Sequence, residues 1–304
     1  MEKIQIALIL LLLSFPLHAQ RVEPVPNGDF EQWTTRDIKE SAIVGGNTCT
    51  LYTVGSLKNT IWASSNAWAR IMGVVQTSVT MEPDDGPTGR CARLSTRFAS
   101  CRVAGMIDIK VLATGALYWG KMLEPIRGVS KPYSYMDWGI PFTGRPSALL
   151  LDCKAELPNT GILTKGTTFK QEEFPGEDPC QILLILQYRW EEADGSIHAK
   201  RVATGVRRIA KSAPWQAYRV PLIYGDARKS GSYATGMELL SGKRTLYALN
   251  SKGKKKPVIE EGWADENSPC THAVLQITAG CHGAFVGALG NTLWVDNVKL
   301  EYPE

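Results

Sequence analysis

The chain has 304 residues, 44% hydrophobic and 21% charged, which is too apolar for a disordered tail and long enough to bury a core. Its 34 Lys and Arg against 30 Asp and Glu leave +4, far short of the clustered positive field of a dedicated nucleic-acid binder, so nucleic acid is excluded as an expected partner. The 28 Gly and 17 Pro favour many short strands over long helices.

Residues 1–19 read as an export leader. Lys3 gives a positive start, Ile4 to Leu13 form an apolar run broken only by Gln5, and Pro16 to Ala19 end on a small residue, so cleavage is expected after Ala19. The run falls far short of the ~20 residues needed to span a bilayer. The first cysteine, Cys49, lies well past the cut, so lipid anchoring there is not expected. The mature chain, one domain over 20–304, is expected to be exported: periplasmic, cell-surface associated or secreted, and not membrane-spanning.

The middle of the chain reads as strands. Ala92, Leu94, Thr96 and Phe98 alternate with Cys91, Arg93, Ser95 and Arg97. Ile107, Ile109 and Val111 oppose Asp108 and Lys110, and Ala273, Leu275 and Ile277 oppose His272, Val274 and Gln276. This period of two marks half-buried strands. Ala148 to Leu151 and Ile182 to Leu186 are continuous apolar runs, as expected for strands covered on both faces. Turn residues cluster between the runs, as in Pro83-Asp84-Asp85-Gly86-Pro87. The predicted fold is all-β, an antiparallel two-sheet jelly-roll sandwich with long loop insertions. Residues 120–146 carry four prolines with Tyr133, Tyr135 and Trp138, too many for a central strand. Residues 225–268 are polar and Gly-rich, and their run Lys252, Lys254, Lys255 and Lys256 reads as a solvated loop tip.

The seven cysteines, an odd number, define no disulfide framework. There is no CxxC, HxH or HExxH, so no zinc site is expected. Cys281 beside His282 in a Gly-rich turn reads as a turn cysteine next to a solvated histidine.

Asn27-Gly28-Asp29-Phe30-Glu31-Gln32-Trp33 and Leu293-Trp294-Val295-Asp296-Asn297-Val298-Lys299-Leu300 resemble the opening and closing strands of carbohydrate-binding jelly rolls. Between them lie Ala113-Thr114-Gly115-Ala116-Leu117-Tyr118-Trp119-Gly120, then Gly139-Ile140-Pro141-Phe142 with Arg145-Pro146, then Gly283 to Asn291. In this order they resemble the landmarks of the putative carbohydrate metabolism (PCMD) domain, found on exported proteins of the Bacteroides group. The resemblance runs from about Asn27 to Tyr302. It implies a jelly roll linked to glycans and brings no established catalytic residues. Two features depart from the family: its serine-rich turn is here Ala279-Gly280-Cys281-His282, and 225–268 looks like an insertion.

Sugars present flat C–H faces ringed by hydroxyls, so an exposed aromatic ring with neighbouring amides or guanidinium suits them. The candidate glycan-binding residues are Trp62, Asn66, Trp68, Tyr133, Trp138 and Arg145, whereas Trp190, Trp215 and Trp294 lie in strand-like runs and are assigned to the core. The expected function is glycan capture without catalysis. A glycoside hydrolase using two of Glu31, Asp108, Asp152, Glu156 and Asp296 is the first alternative, and a structural subunit of a surface complex the second. Period two puts Asp296 in a row with Trp294, Val298, Leu300 and Tyr302, with Asn297, Lys299 and Glu301 opposite. A carboxylate in an apolar row needs donors or a cation. The resemblance to carbohydrate-binding jelly rolls implies a structural calcium shared by Asp296 and Glu31, with capping of backbone N–H groups as the alternative. No other cofactor is expected.

Overall fold

The computed structural model describes residues 21–103, 107–167 and 170–303, with the side chains of 100–109 outside the description. The leader reading of 1–19 and the side chains of Cys101 and Asp108 therefore lie outside it.

Two sheets face each other. The smaller has the strand order Ala213–Pro221, Ala148–Glu156, Thr292–Tyr302, Arg90–Ser95, Met81–Asp85, with Arg21–Pro24 added along Thr292–Tyr302. The larger runs Met136–Trp138, Ala116–Met122, His272–Thr278, Cys180–Glu191, Ile197–Ile209, Lys255–Trp263, Tyr247–Leu249. Between them Leu149, Leu151, Leu293 and Val295 from one sheet meet Leu117, Ile182, Leu184, Leu186, Leu275 and Ile277 from the other. Each fully buried aliphatic side chain contributes about 1.5–3 kcal/mol. The all-β sandwich is as the alternation predicts, and Ala273, Leu275 and Ile277 are the inward row. Among the described residues there is no α-helix, only short 3-10 turns, and no helix long and apolar enough to cross a membrane.

The segment 225–268 departs from its reading as loop. Leu240, Leu246, Ala248 and Val258 pack on the outer face of the larger sheet with Leu183, Ile185, Val274, Tyr118 and Trp138, forming a second core. This is why Leu183 and Ile185 are as apolar as their inward neighbours: the strand is covered on both sides. Lys255–Trp263 pairs in parallel with Ile197–Ile209, among strands otherwise paired antiparallel. The pairing is anchored by a buried ion pair, in which the Arg201 Nε and Nη2 atoms donate to Glu260 at 2.6 Å each. Burial would raise the Glu260 carboxyl, but Arg201 and the donors Leu240 N–H and Gln187 outweigh it and hold it below its ordinary value. Lys252, Lys254 and Lys255 are exposed, as a loop tip requires.

The closing strand also departs from strict alternation. Leu293 and Val295 face inward, and then Val298, Leu300 and Tyr302 do. Asn297 adopts φ +55°, and the pairing with Ala148–Glu156 shifts register between Leu150 and Asp152. The bulge re-phases the strand. Trp294 is thus turned out of the core and half-buried, where its Nε1 donates to Asp84 at 2.9 Å and Lys154 Nζ lies 4.2 Å from the ring centroid. Trp190 and Trp215 are half-buried as well, so the core assignment of these three tryptophans is corrected. Glu301, expected on the open face, is 4% exposed and accepts from Arg219 Nη2 at 2.5 Å and Ser147 Oγ at 2.8 Å.

Candidate functional site

Of the six aromatic and polar residues singled out for a glycan, the structure gathers two. Trp62 is 1% exposed in the main core, where its ring packs 5.5 Å from Phe30 and 6.0 Å from Trp119 and its Nε1 donates to Pro26 O at 2.8 Å. No face of that ring is open to a sugar. Asn66 is 4% exposed with its amide fully used: Nδ2 donates to Tyr52 O and Met81 O, and Oδ1 accepts from the N–H groups of Thr80 and Met81. It is a clamp between strands and not a ligand group. Trp68 is half-buried on the hairpin Ala67–Ile71/Val74–Ser78, beside Arg70. Arg145 lies over the Tyr224 ring at 4.4 Å and donates to the carbonyls of Ser268 and Glu266, bracing a loop.

Tyr133 and Trp138 do converge, on a pocket of about 70 Å³ at the edge of the second core. The proline-rich segment reaches it through the turn Pro132–Tyr135 and the strand Met136–Trp138, which pairs with Ala116–Met122. Trp138 is 1% exposed and stacked on Tyr118 with centroids 4.4 Å apart, so it cannot offer a ring face, which corrects its reading as a stacking platform. Its Nε1 has no hydrogen-bond partner. The larger sheet contributes Gln181, Gln276 and Thr278, the segment 225–268 contributes Leu240, Arg244 and Leu246, and the turn 280–283 contributes Cys281 and His282. Burial pushes the Tyr133 phenol up, so it stays a neutral hydroxyl. Sequence reasoning missed Gln181 and Gln276. For Gln181 the signal was available, because a glutamine on an outward row continued by the apolar Leu183 and Ile185 must find polar company.

The Cys281–His282 turn is held by Asp178. Its Oδ1 accepts from Cys281 N–H at 2.7 Å and its Oδ2 from Ala288 N–H at 2.8 Å. Asp178, Cys281 and His282 place ligand atoms within 4.8 Å of one another. Both carboxylate oxygens are nevertheless engaged by backbone, and His282 Nε2 donates to Glu177 O at 2.8 Å. The trio ties down a turn.

Glu31 and Asp296 meet at a different place. The turn Gly86–Gly89 packs on both: a Cβ at Gly89 would fall 2.0 Å from Glu31 Oε1, and one at Gly86 3.0 Å from Asp296 Oδ2. Glu31 Oε1 accepts from Arg90 N–H at 2.9 Å. Asp296 is 1% exposed; its Oδ1 accepts from Asn297 N–H at 2.7 Å while Oδ2 has no partner. Burial first, then the charges of Asp152, Glu31 and Asp29, raise its carboxyl to about 6. An orphaned carboxylate oxygen among further carboxylates fits a hard cation that takes oxygen ligands, whereas a capping role accounts for Oδ1 alone.

Compared with known proteins, the fold is similar to that of a protein from Bacteroides thetaiotaomicron described as a putative glycoside hydrolase, with 20% identity, 93% of this chain and 71% of that one covered, and a TM-score of 0.50. A second, from Bacteroides vulgatus and described in the same words, gives 15% identity, 90% and 96% coverage and a TM-score of 0.48. A family 11 carbohydrate-binding module from Clostridium thermocellum, solved with a mixed-linked tetrasaccharide, gives 10% identity, 92% and 95% coverage and a TM-score of 0.31. No curated protein matches. A family model matches residues 29–247, more than half of the sequence, and the chain therefore belongs to the family described as putative carbohydrate metabolism domain, PCMD.

Proposed function

We propose that this is an exported glycan-binding protein that holds one end of a carbohydrate in the pocket of Tyr133, Trp138, Gln181, Arg244 and Gln276 without cleaving it. The observation that carries the reading is a pocket lined by the Gln181 and Gln276 amides and the Arg244 guanidinium but by no Asp or Glu. Such groups can exchange hydrogen bonds with the hydroxyl rim of a sugar. A glycosidase needs two carboxylates at the bond it cuts. Of the carboxylates named for that role, Glu31, Asp152 and Asp296 are grouped around the buried closing strand, where a glycosidic oxygen has no access to Asp296, Glu156 is paired with Lys154, and the side chain of Asp108 lies outside the described residues.

The test is a glycan array run beside a hydrolysis assay. Gln276→Ala and Arg244→Ala each remove a hydrogen-bonding group of the pocket, and each is expected to weaken binding by about 1 kcal/mol, roughly fivefold. Release of reducing ends by the wild type would refute the non-catalytic part. Binding unchanged in both variants would refute the pocket. Export is tested by the intact mass of the secreted protein, which should begin at Gln20; a retained leader or an added lipid would overturn it.

Asp29, Glu31, Asp152 and Asp296 would hold a calcium ion, with backbone carbonyls and water completing its six to eight oxygens. Such an ion would offset part of the cluster's negative charge and tie the opening segment to the closing strand.

A further inference from the structure

The segment 225–268 builds a second opening that shares no residue with the pocket, a trough of about 1040 Å³. Its volume is at the upper end of small-molecule sites, about 300–1,000 Å³, and an open trough suits an extended ligand better than a compact one. Trp263 lies in its wall, half-buried. The ring is held in place from behind: Trp263 pairs in register with Arg201, whose guanidinium lies 5.5 Å from the ring centroid and is itself fixed by Glu260 at 2.6 Å. A ring fixed before binding loses little freedom when a ligand stacks on it.

The rim is acidic. Asp226, Glu261, Asp265 and Glu266 stand against Arg228 and Lys229. Asp226 is paired with Arg228 at 2.8 Å and Glu261 with His198 at 2.7 Å. The exposed side chains of Asp265 and Glu266 have no ion pair among the described residues. Their loop is braced by Arg145, which donates to the carbonyls of Glu266 and Ser268. Arg145 thus acts on this trough as a positioning residue and does not line the pocket where Tyr133 and Trp138 meet.

We propose that the trough is a second glycan-binding site, one that holds several consecutive units of a neutral or amino-bearing glycan chain along Trp263 and disfavours polyanionic chains. Stacked ring faces supply the attachment, and Asp265, Glu266 and Asn267 accept or exchange hydrogen bonds with hydroxyl or ammonium groups at the rim.

The experiment is an array of neutral, amino-bearing and uronate oligosaccharides of four or more units, probed with wild type, Trp263→Ala, the pair Asp265→Lys with Glu266→Lys, and Lys252→Ala, a control at the exposed loop tip outside both openings. Neutral or amino-bearing chains should be retained by wild type and by Lys252→Ala, and bound at least tenfold more weakly by Trp263→Ala. The charge-reversed pair, altered at two exposed positions, should lose amino-bearing chains and gain uronates. That pair decides the matter if Trp263→Ala fails to fold by near-UV circular dichroism. Retention unchanged in Trp263→Ala and in the charge-reversed pair, or no chain retained by wild type, overturns the proposal. Failure of the pocket alone shows differently, as binding that is indifferent to the pocket variants Arg244→Ala and Gln276→Ala yet lost in Trp263→Ala.

Discussion

Asp296 offers the sharpest test of how this fold closes. Its carboxyl is raised from 3.8 to about 6, a difference of about 2.2, which at 1.36 kcal/mol per unit is about 3 kcal/mol of destabilisation at neutral pH in the absence of a cation. The sign follows from the direction. The unfolded chain gives up this proton more readily, so the cost is complete above pH 6, shrinks as pH falls towards 4, and vanishes below the unfolded value. Chelated wild-type protein should therefore gain stability between pH 7.5 and pH 5. With calcium bound the sign reverses, because the ion needs the ionised form and acidification displaces it. Asp296→Asn leaves Oδ1 to accept from Asn297 and replaces the orphaned Oδ2 with a donor facing Asp152 and Glu31. In EDTA at pH 7.5 it should be more stable than wild type by up to about 3 kcal/mol, and at pH 4 nearly equal to it. Urea denaturation at both pH values, with EDTA and with calcium chloride, measures all four cases. A chelated wild type with the same stability at pH 7.5 and pH 5, together with an Asn variant no more stable, refutes the burial argument. A wild-type midpoint indifferent to calcium removes the cation.

Two further outcomes are expected. Glu260→Gln leaves Arg201 buried and half-paired and should cost about 3–5 kcal/mol; because the Glu260 carboxyl is held low, the wild type should keep this contribution above pH 4.5 and lose it below, and a urea midpoint moved by less than a tenth would sink the buried pair. Trp62→Ala should cost about 3–5 kcal/mol as a core cavity, against about 1 kcal/mol for Trp294→Ala on the outward face, and thermal midpoints in the opposite order would contradict the re-phased strand.

The legible parts of the fold were those in which one sheet face decides everything. The row Ala273, Leu275 and Ile277 alternates because only one side of it meets the main core, and period two reads it correctly. The closing strand defeats the same rule because Asn297 bulges, and nothing in Trp294-Val295-Asp296-Asn297 announces a residue at positive φ beyond the asparagine itself. Upstream of the bulge the phase turns over, so Trp294 points out of the core where Leu293 and Val295 point in, whereas past it Val298, Leu300 and Tyr302 stay inward and Lys299 exposed as period two expects, and only Glu301 differs, buried by Arg219 and Ser147. The candidate site was half legible for a related reason. Tyr133 and Trp138 stood out as aromatics in a proline-rich segment, whereas Trp263 was hidden at the end of a strand within a stretch whose Lys and Gly content reads as solvent-facing. Composition averages over 225–268, but the apolar residues that matter there, Leu240, Leu246, Ala248 and Val258, are sparse and fall on one side.

That sparseness is also what shapes the binding surfaces. A sheet with one bare face would expose Leu183, Ile185 and Val274 to water, and an apolar face of that kind must be covered or used. Here residues 225–268 cover it, and the cover ends where the sheet turns polar. At Gln181, Gln276 and Thr278 no apolar partner is called for, so Leu240 and Leu246 stop at the edge and a small pocket with an unsatisfied indole N–H is left. On its far side the same cover must reach solvent through Lys255–Trp263, and the strand brings Trp263 to the wall of the trough, backed by the ion pair that fastens the cover to the sheet. One segment therefore accounts for both openings, and their difference in size follows from which of its edges each one occupies. Removing the Arg201–Glu260 pair should accordingly loosen the trough before it disturbs the main core, since Trp263 depends on that pair while Leu275 and Ile277 do not.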